Sequence, residues 1–133
     1  MGPNKVGNAW PWEFSYFMLG RAVELSLSNT GDVAQIGIPF KQYQVRRIVV
    51  RSPNINVAAA FVGVFTDAGG GGTALAANQQ LSSCVDNLRG QDLSVSASTV
   101  IQTVSALWFR VGTAVAGGLV DVDIFGHVIP DRM

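Results

Sequence analysis

Few residues in this chain are able to do chemistry, and they are scattered. His127 is the only histidine. It falls near the end of the last extended segment, where a lone imidazole is usually structural or solvent-facing rather than a general base. Cys84 is the only cysteine. It has no neighbouring histidine or lysine to lower its pKa, so it reads as a small core residue, and it offers neither an intrachain disulfide nor a second thiolate for a metal. Serines are plentiful, but no G-x-S-x-G elbow presents one as a nucleophile. Asp121 and Asp123 stand two apart on one strand face and could show two carboxylates to Ca²⁺. That ion takes six or more oxygens, usually from loops, and no other acid is close in sequence. The expectation is a protein with no catalytic residues, no metal and no cofactor, hence not an enzyme.

The stretch "FVGVFTDAGGGGTAL" (Phe61 to Leu75) tests a phosphate-binding reading. A Walker loop needs Gly-Lys-Ser/Thr at its end, and here Thr73 follows Gly72 directly with no lysine near. Gly69, Gly71 and Ala74 match the spacing of a dinucleotide fingerprint. The residues after them, "LAANQQLSS", lack the ribose-holding acid that fold requires, unless Asp86 or Asp92 is pressed into the part. The glycines read instead as the turn that ends an apolar strand.

Arg46, Arg47 and Arg51 form the one basic cluster. Strand alternation puts Arg47 and Arg51 on one face and Arg46 on the other, so the three do not make a single patch. Two arginines on an exposed face suit pairing with carboxylates such as Asp121 or Asp123 across a subunit boundary. A second binding candidate is aromatic. The segment "AWPWEFSYF" carries Trp10, Trp12, Phe14, Tyr16 and Phe17 beside two prolines, and five rings in so short a segment must find a groove on the domain or on a neighbour. The expected layout is therefore an aromatic-rich N-terminal arm, 1–20, followed by one domain, 21–133; a first strand of that same domain is the competing reading of the arm.

Composition bounds the rest. A chain of 133 residues is one domain, able to bury roughly two-thirds of the surface its unfolded form exposes. Hydrophobic residues make up 48% and charged ones only 14%, a surface so poor in charge that covering by other protein is expected. Nine basic and nine acidic residues cancel, so no net field recommends nucleic acid or an anionic membrane. Glu13 interrupts the apolar part of the N-terminus, which does not read as a signal peptide, and Val6 stands where a myristoylation signal expects Ser or Thr.

The elements that must position these residues are strands. "AVELSLS" (22–28) alternates, "NTGD" is turn chemistry, and "VAQIGIPF" resumes an extended pattern as far as Pro39. "YQVRRIVVRSP" is β-branched and closed by Ser52-Pro53-Asn54, and "VAAAFVGVFT" runs into the glycines. Leu107, Phe109 and Val111 share a face opposite Trp108 and Arg110. Val120, Val122 and Ile124 alternate with Asp121, Asp123 and Phe125. "AVAGG" between these two runs predicts an antiparallel hairpin. "NQQLSSCVDNLRG" is open between an extended segment and a helical turn or two, and "DLSVSAS" returns to alternation. Seven or eight short strands with glycine-rich turns describe an antiparallel β-sandwich, with a jelly roll as the expected variant.

The pairing of "VGVFTDAGGGGTAL" with "LWFRVGTAVAGGLVDVDIFGHVI" resembles small β-sandwich structural proteins of tailed bacteriophages, the capsid decoration or cement proteins. The resemblance spans Arg46 to Ile129 and rests on strand and turn patterns, so it defines no functional residues. It implies a jelly roll on the outer capsid surface of a virion, made in the host cytoplasm. There it would contact the major capsid protein and itself, as a homodimer or homotrimer, and tie neighbouring capsomers together. A receptor- or carbohydrate-binding module of the virion or tail is the alternative, with Trp108, Asp121 and Asp123 as its sugar site.

Overall fold

The structure, a computed structural model, describes residues 16–86 and 89–130. Its strands are β1 (Tyr16–Ser26), β2 (Gly31–Gly37), β3 (Tyr43–Arg51), β4 (Phe61–Phe65), β5 (Ala74–Gln80), β6 (Gly90–Leu93), β7 (Ala106–Thr113) and β8 (Leu119–Val128). They form two antiparallel four-stranded sheets, ordered β1-β8-β3-β6 and β2-β7-β4-β5. This is the all-β sandwich that period-two alternation predicts. Tyr43, Val45, Ile48, Val50, Val120, Val122 and Ile124 from the first sheet and Val62, Val64, Leu107, Phe109 and Val111 from the second are buried in one core, with charged and amide side chains outside.

The pairs β1·β8, β2·β7, β3·β6 and β4·β5 nest inside one another. Among the described residues, β4 and β5 are the sole consecutive strands hydrogen-bonded to each other; every other connection crosses between sheets. The hairpin expected across "AVAGG" is therefore absent. β7 and β8 lie in opposite sheets, because alternation shows that each strand buries one face without showing which sheet that face belongs to. The connecting loop is tied instead to the end of β1, where Val115 N–H donates to Leu27 O and Leu27 N–H to Gly118 O, both at 2.8 Å. The glycine run closes the real hairpin, and "ALAANQQ", which alternation left unassigned, is its second strand. Leu81 to Cys84 then makes a turn, Cys84 N–H donating to Leu81 O at 2.9 Å, in place of a helix.

β1 starts inside the segment assigned to the arm. Tyr16 is paired with His127 and Phe17 with Gly126, and Leu19 is core at 2% exposure. Residues 16–20 thus belong to the sandwich, and Trp10, Trp12 and Phe14 lie outside the described residues. Gly20 faces the other sheet so closely that a Cβ there would sit 2.8 Å from Ile38 Cδ1 and 2.9 Å from Gly37 O.

At the opposite seam, side-chain amides stand in for missing strand pairing. Gln79 Nε2 donates to Ser94 O at 3.2 Å while its Oε1 accepts from Ser94 N–H at 2.7 Å. Gln91 reciprocates, donating to Gln80 O and accepting from Ser83 N–H, both at 2.8 Å. The backbone groups of Gln80, Ser83 and Ser94 along this seam are satisfied in this way without β5 or β6 joining the other's sheet.

Candidate partner-binding face

The outer face of the β1-β8-β3-β6 sheet gathers charge that is far apart in sequence. A bulge in β3 makes this possible. Val45 is paired with Gly126 and Arg47 with Phe125, so Arg46 is an extra residue and the strand switches parity. Tyr43 and Val45 point inward before the bulge, and Ile48 and Val50 point inward after it. Simple alternation placed Arg47 and Arg51 together correctly, but it assumed an unbroken strand. With the bulge, both Arg46 and Arg47 are exposed.

Three registered rows cross this face. Arg21, Asp123, Val49 and Asp92 are successive neighbours in one. Asp121, Arg51 and Gly90 form the next, and Met18, Phe125 and Arg47 the third. The charges pair within the chain: Arg21 Nε to Asp123 Oδ1 at 3.2 Å, Arg47 Nε to Asp92 Oδ2 at 3.1 Å, and Arg51 Nη2 to Asp121 Oδ2 at 3.5 Å. The carboxylate partner expected from another subunit is thus supplied by the same chain. The Arg47 guanidinium also lies 5.9 Å from the centroid of the Phe125 ring, within cation–π range. Asp123 Oδ1 is buried and accepts no hydrogen bond in the described residues. Its contact with Arg21 is a charge attraction in which the N–H is not aimed at the oxygen.

Asp121 has a second task. Its Oδ1 accepts from Glu24 N–H at 2.9 Å, and Glu24 has φ +54°, a left-handed backbone that costs a non-glycine residue about 1 kcal/mol or more. The bulge in β1 between Ala22 and Leu25 is held by this bond. Because Gly90 has no side chain beside Arg51 and Val49 is short between two aspartates, the face has a shallow hollow of about 340 Å³ lined by Arg47, Arg51, Asp92, Asp121 and Asp123. The arrangement is a surface of paired charges fixed by strand register.

The remaining candidates sit elsewhere. Trp108 is on the outer face of the other sheet, beside Gln35 and Phe65, so it cannot join Asp121 and Asp123 in a sugar site: the two groups face opposite sides of the sandwich. The glycine loop does present an N–H to an anion, but the anion is the chain's own. Gly69 N–H donates to Asp32 Oδ2 at 2.9 Å, while Arg110 Nη1 holds Asp32 Oδ1 at 3.1 Å. Cys84 is fully buried, its Sγ 3.6 Å from Val50 O, and burial pushes its thiol pKa up. His127 lies on β8, across from Gln44 of β3 and Tyr16 of β1. Among the described residues no group of three or more His, Cys, Asp or Glu is placed to hold a metal ion, and no helix is long and apolar enough to cross a membrane.

Fold and face together define an antiparallel β-sandwich with an ion-paired sheet surface. Comparison with known protein families, with curated proteins and with solved structures returned no match.

Proposed function

We propose that this chain is a virion structural protein that binds the outside of an assembled capsid and bridges neighbouring capsomers. The observation that carries the reading is the nesting of β1·β8, β2·β7, β3·β6 and β4·β5. On this reading the eight strands are one long, doubled-over ribbon of the jelly-roll kind, an architecture found in viral capsid domains and the one implied by the resemblance of Arg46 to Ile129 to decoration proteins. The support is likeness at the level of the fold, and one fold hosts many functions.

Two features of the surface support it further. A cement protein gains free energy by covering apolar patches on subunits that are already assembled. Val100 and Ile101 are 51% and 47% exposed in the loop between β6 and β7. That loop is anchored where Gln102 and Tyr43 exchange backbone hydrogen bonds of 2.7 and 3.1 Å, and where Gln44 Nε2 donates to Thr99 O at 2.8 Å. The first described residue, Tyr16, is paired with His127 at this same end of the sheet. On this reading the rings of Trp10, Trp12 and Phe14 anchor to the major capsid protein.

The test is the composition of purified particles encoded by the same genome. The protein should be present in a fixed ratio to the major capsid subunit, and should be recovered on stripped particles when added back. Absence from intact particles would remove the reading.

A further inference from the structure

The charges on the β1-β8-β3-β6 face follow a pattern that matches itself. If a second copy is turned over about an axis lying in the face, parallel to the strands and midway between β8 and β3, then β1 lies over β6 of the second copy and β8 lies over its β3. Register keeps paired residues at one height. Arg21 then meets Asp92 of the second copy, because both belong to the row Arg21, Asp123, Val49, Asp92. Asp121 meets Arg51, and Phe125 meets Arg47, because these are direct neighbours in their own rows. Arg21, Asp92, Asp121 and Arg51 each meet an opposite charge and Arg47 meets an aromatic ring, while Asp123 meets Val49. The other in-plane axis, perpendicular to the strands through this row, fails: it sets Arg21 over Arg21 and Arg47 over Arg51.

We propose that this face is an isologous, two-fold interface between copies of this chain, with Arg21 to Asp92, Asp121 to Arg51 and Arg47 to Phe125 as its cross-copy contacts. The intrachain pairs do not exhaust the groups involved, since a guanidinium has five donors in a fixed fork and a carboxylate about four acceptor sites. Two facing hollows over Val49 leave room for bridging water. Strands of 11, 10, 9 and 4 residues about 4.8 Å apart offer roughly 550 Å² per copy, near the lower limit of specific association. The dimer is therefore weak, reversible and sensitive to salt. This inference does not depend on the capsid: self-association can fail while particle binding holds, and the reverse.

Sedimentation velocity of the full chain across a concentration series tests it. The expected result is a concentration-dependent dimer at about 0.05 M salt that weakens about tenfold or more at about 0.5 M. Arg21→Glu and Asp92→Lys alter exposed side chains away from the core, and each alone should abolish dimer formation by setting like charges opposite each other. An equimolar mixture of the two should restore it, because both cross-copy contacts are then between opposite charges. Circular dichroism melts confirm that each variant is folded. A protein that stays monomeric at every concentration, or variants that associate as well as the parent, or a mixture no stronger than its components, would overturn the proposal.

Discussion

Tyr43 shows how much one buried polar group can govern. Its ring is fully buried and its hydroxyl donates to Val104 O at 2.7 Å, and burial pushes its pKa up from 10.0 to about 12. The folded state therefore keeps a proton on Tyr43 that the unfolded state has lost, so this group's contribution to stability is full below pH 10 and is lost as pH rises from about 10 to about 12. Two units correspond to roughly 2 to 3 kcal/mol. Denaturant melts at pH 9, 11 and 12 should show this decline, and Tyr43→Phe should make it shallower, leaving the share of the buried Cys84 thiol, at a constant cost of about 1 kcal/mol for the lost bond. Gly126 is constrained by backbone instead: a Cβ there would collide with the Gln44 carbonyl. Gly126→Ala should cost about 3 kcal/mol, the upper end for overpacking, read as a lower denaturation midpoint. Glycine at this position is visible in the sequence, but the reason for it is not, since Gln44 lies 82 residues away.

At the scale of elements, the seam beside β5 is closed by two glutamine side chains together with Ser96, whose N–H donates to Leu75 O at 2.8 Å and whose Oγ donates to Ala74 O at 2.6 Å. Gln79→Glu keeps an acceptor for Ser94 N–H but loses the donor to Ser94 O. Gln79→Ala loses both bonds to Ser94 and the one to Ala77 O and should cost about 1 to 2 kcal/mol, with faster hydrogen exchange at the Ser94 amide as its local signature. The glycine hairpin has a comparable tether. Asp32→Ala should free the Gly69 amide to exchange while leaving the sandwich folded, because the loop's other ties, such as Thr73 N–H to Thr66 Oγ1 at 2.8 Å, are internal to it. "NQQLSS" was legible only as ambiguous because its amides act across the seam, and periodicity records which face is apolar rather than which backbone a side chain completes. The β3 bulge escaped for a similar reason: "VRRI" contains the extra residue, but only pairing against Gly126 and Phe125 identifies it.

For the whole molecule, the position of the first strand decides where the chain can be cut. Removing residues 1–14 leaves all of β1, and the domain should melt with the parent's cooperativity while capsid binding weakens if the aromatic segment is the anchor. Removing residues 1–20 takes away Leu19 and the pairings of Tyr16, Phe17 and Met18 with β8, and should lower the melting temperature sharply. From the sequence alone came the all-β class, most strand positions, the inward and outward residues of β7 and β8, the turn made by the glycines and the burial of Cys84. All of these follow from local chemistry: alternation, β-branching and backbone freedom act within a few residues. Tertiary structure alone decided that β7 and β8 belong to opposite sheets, that Trp108 and the Asp121–Asp123 pair face opposite ways, and that Arg21, Arg47, Arg51, Asp92, Asp121 and Asp123 share one surface. Those outcomes depend on which strands pair and in what register. That choice is made by contacts between residues tens of positions apart, which no local pattern encodes.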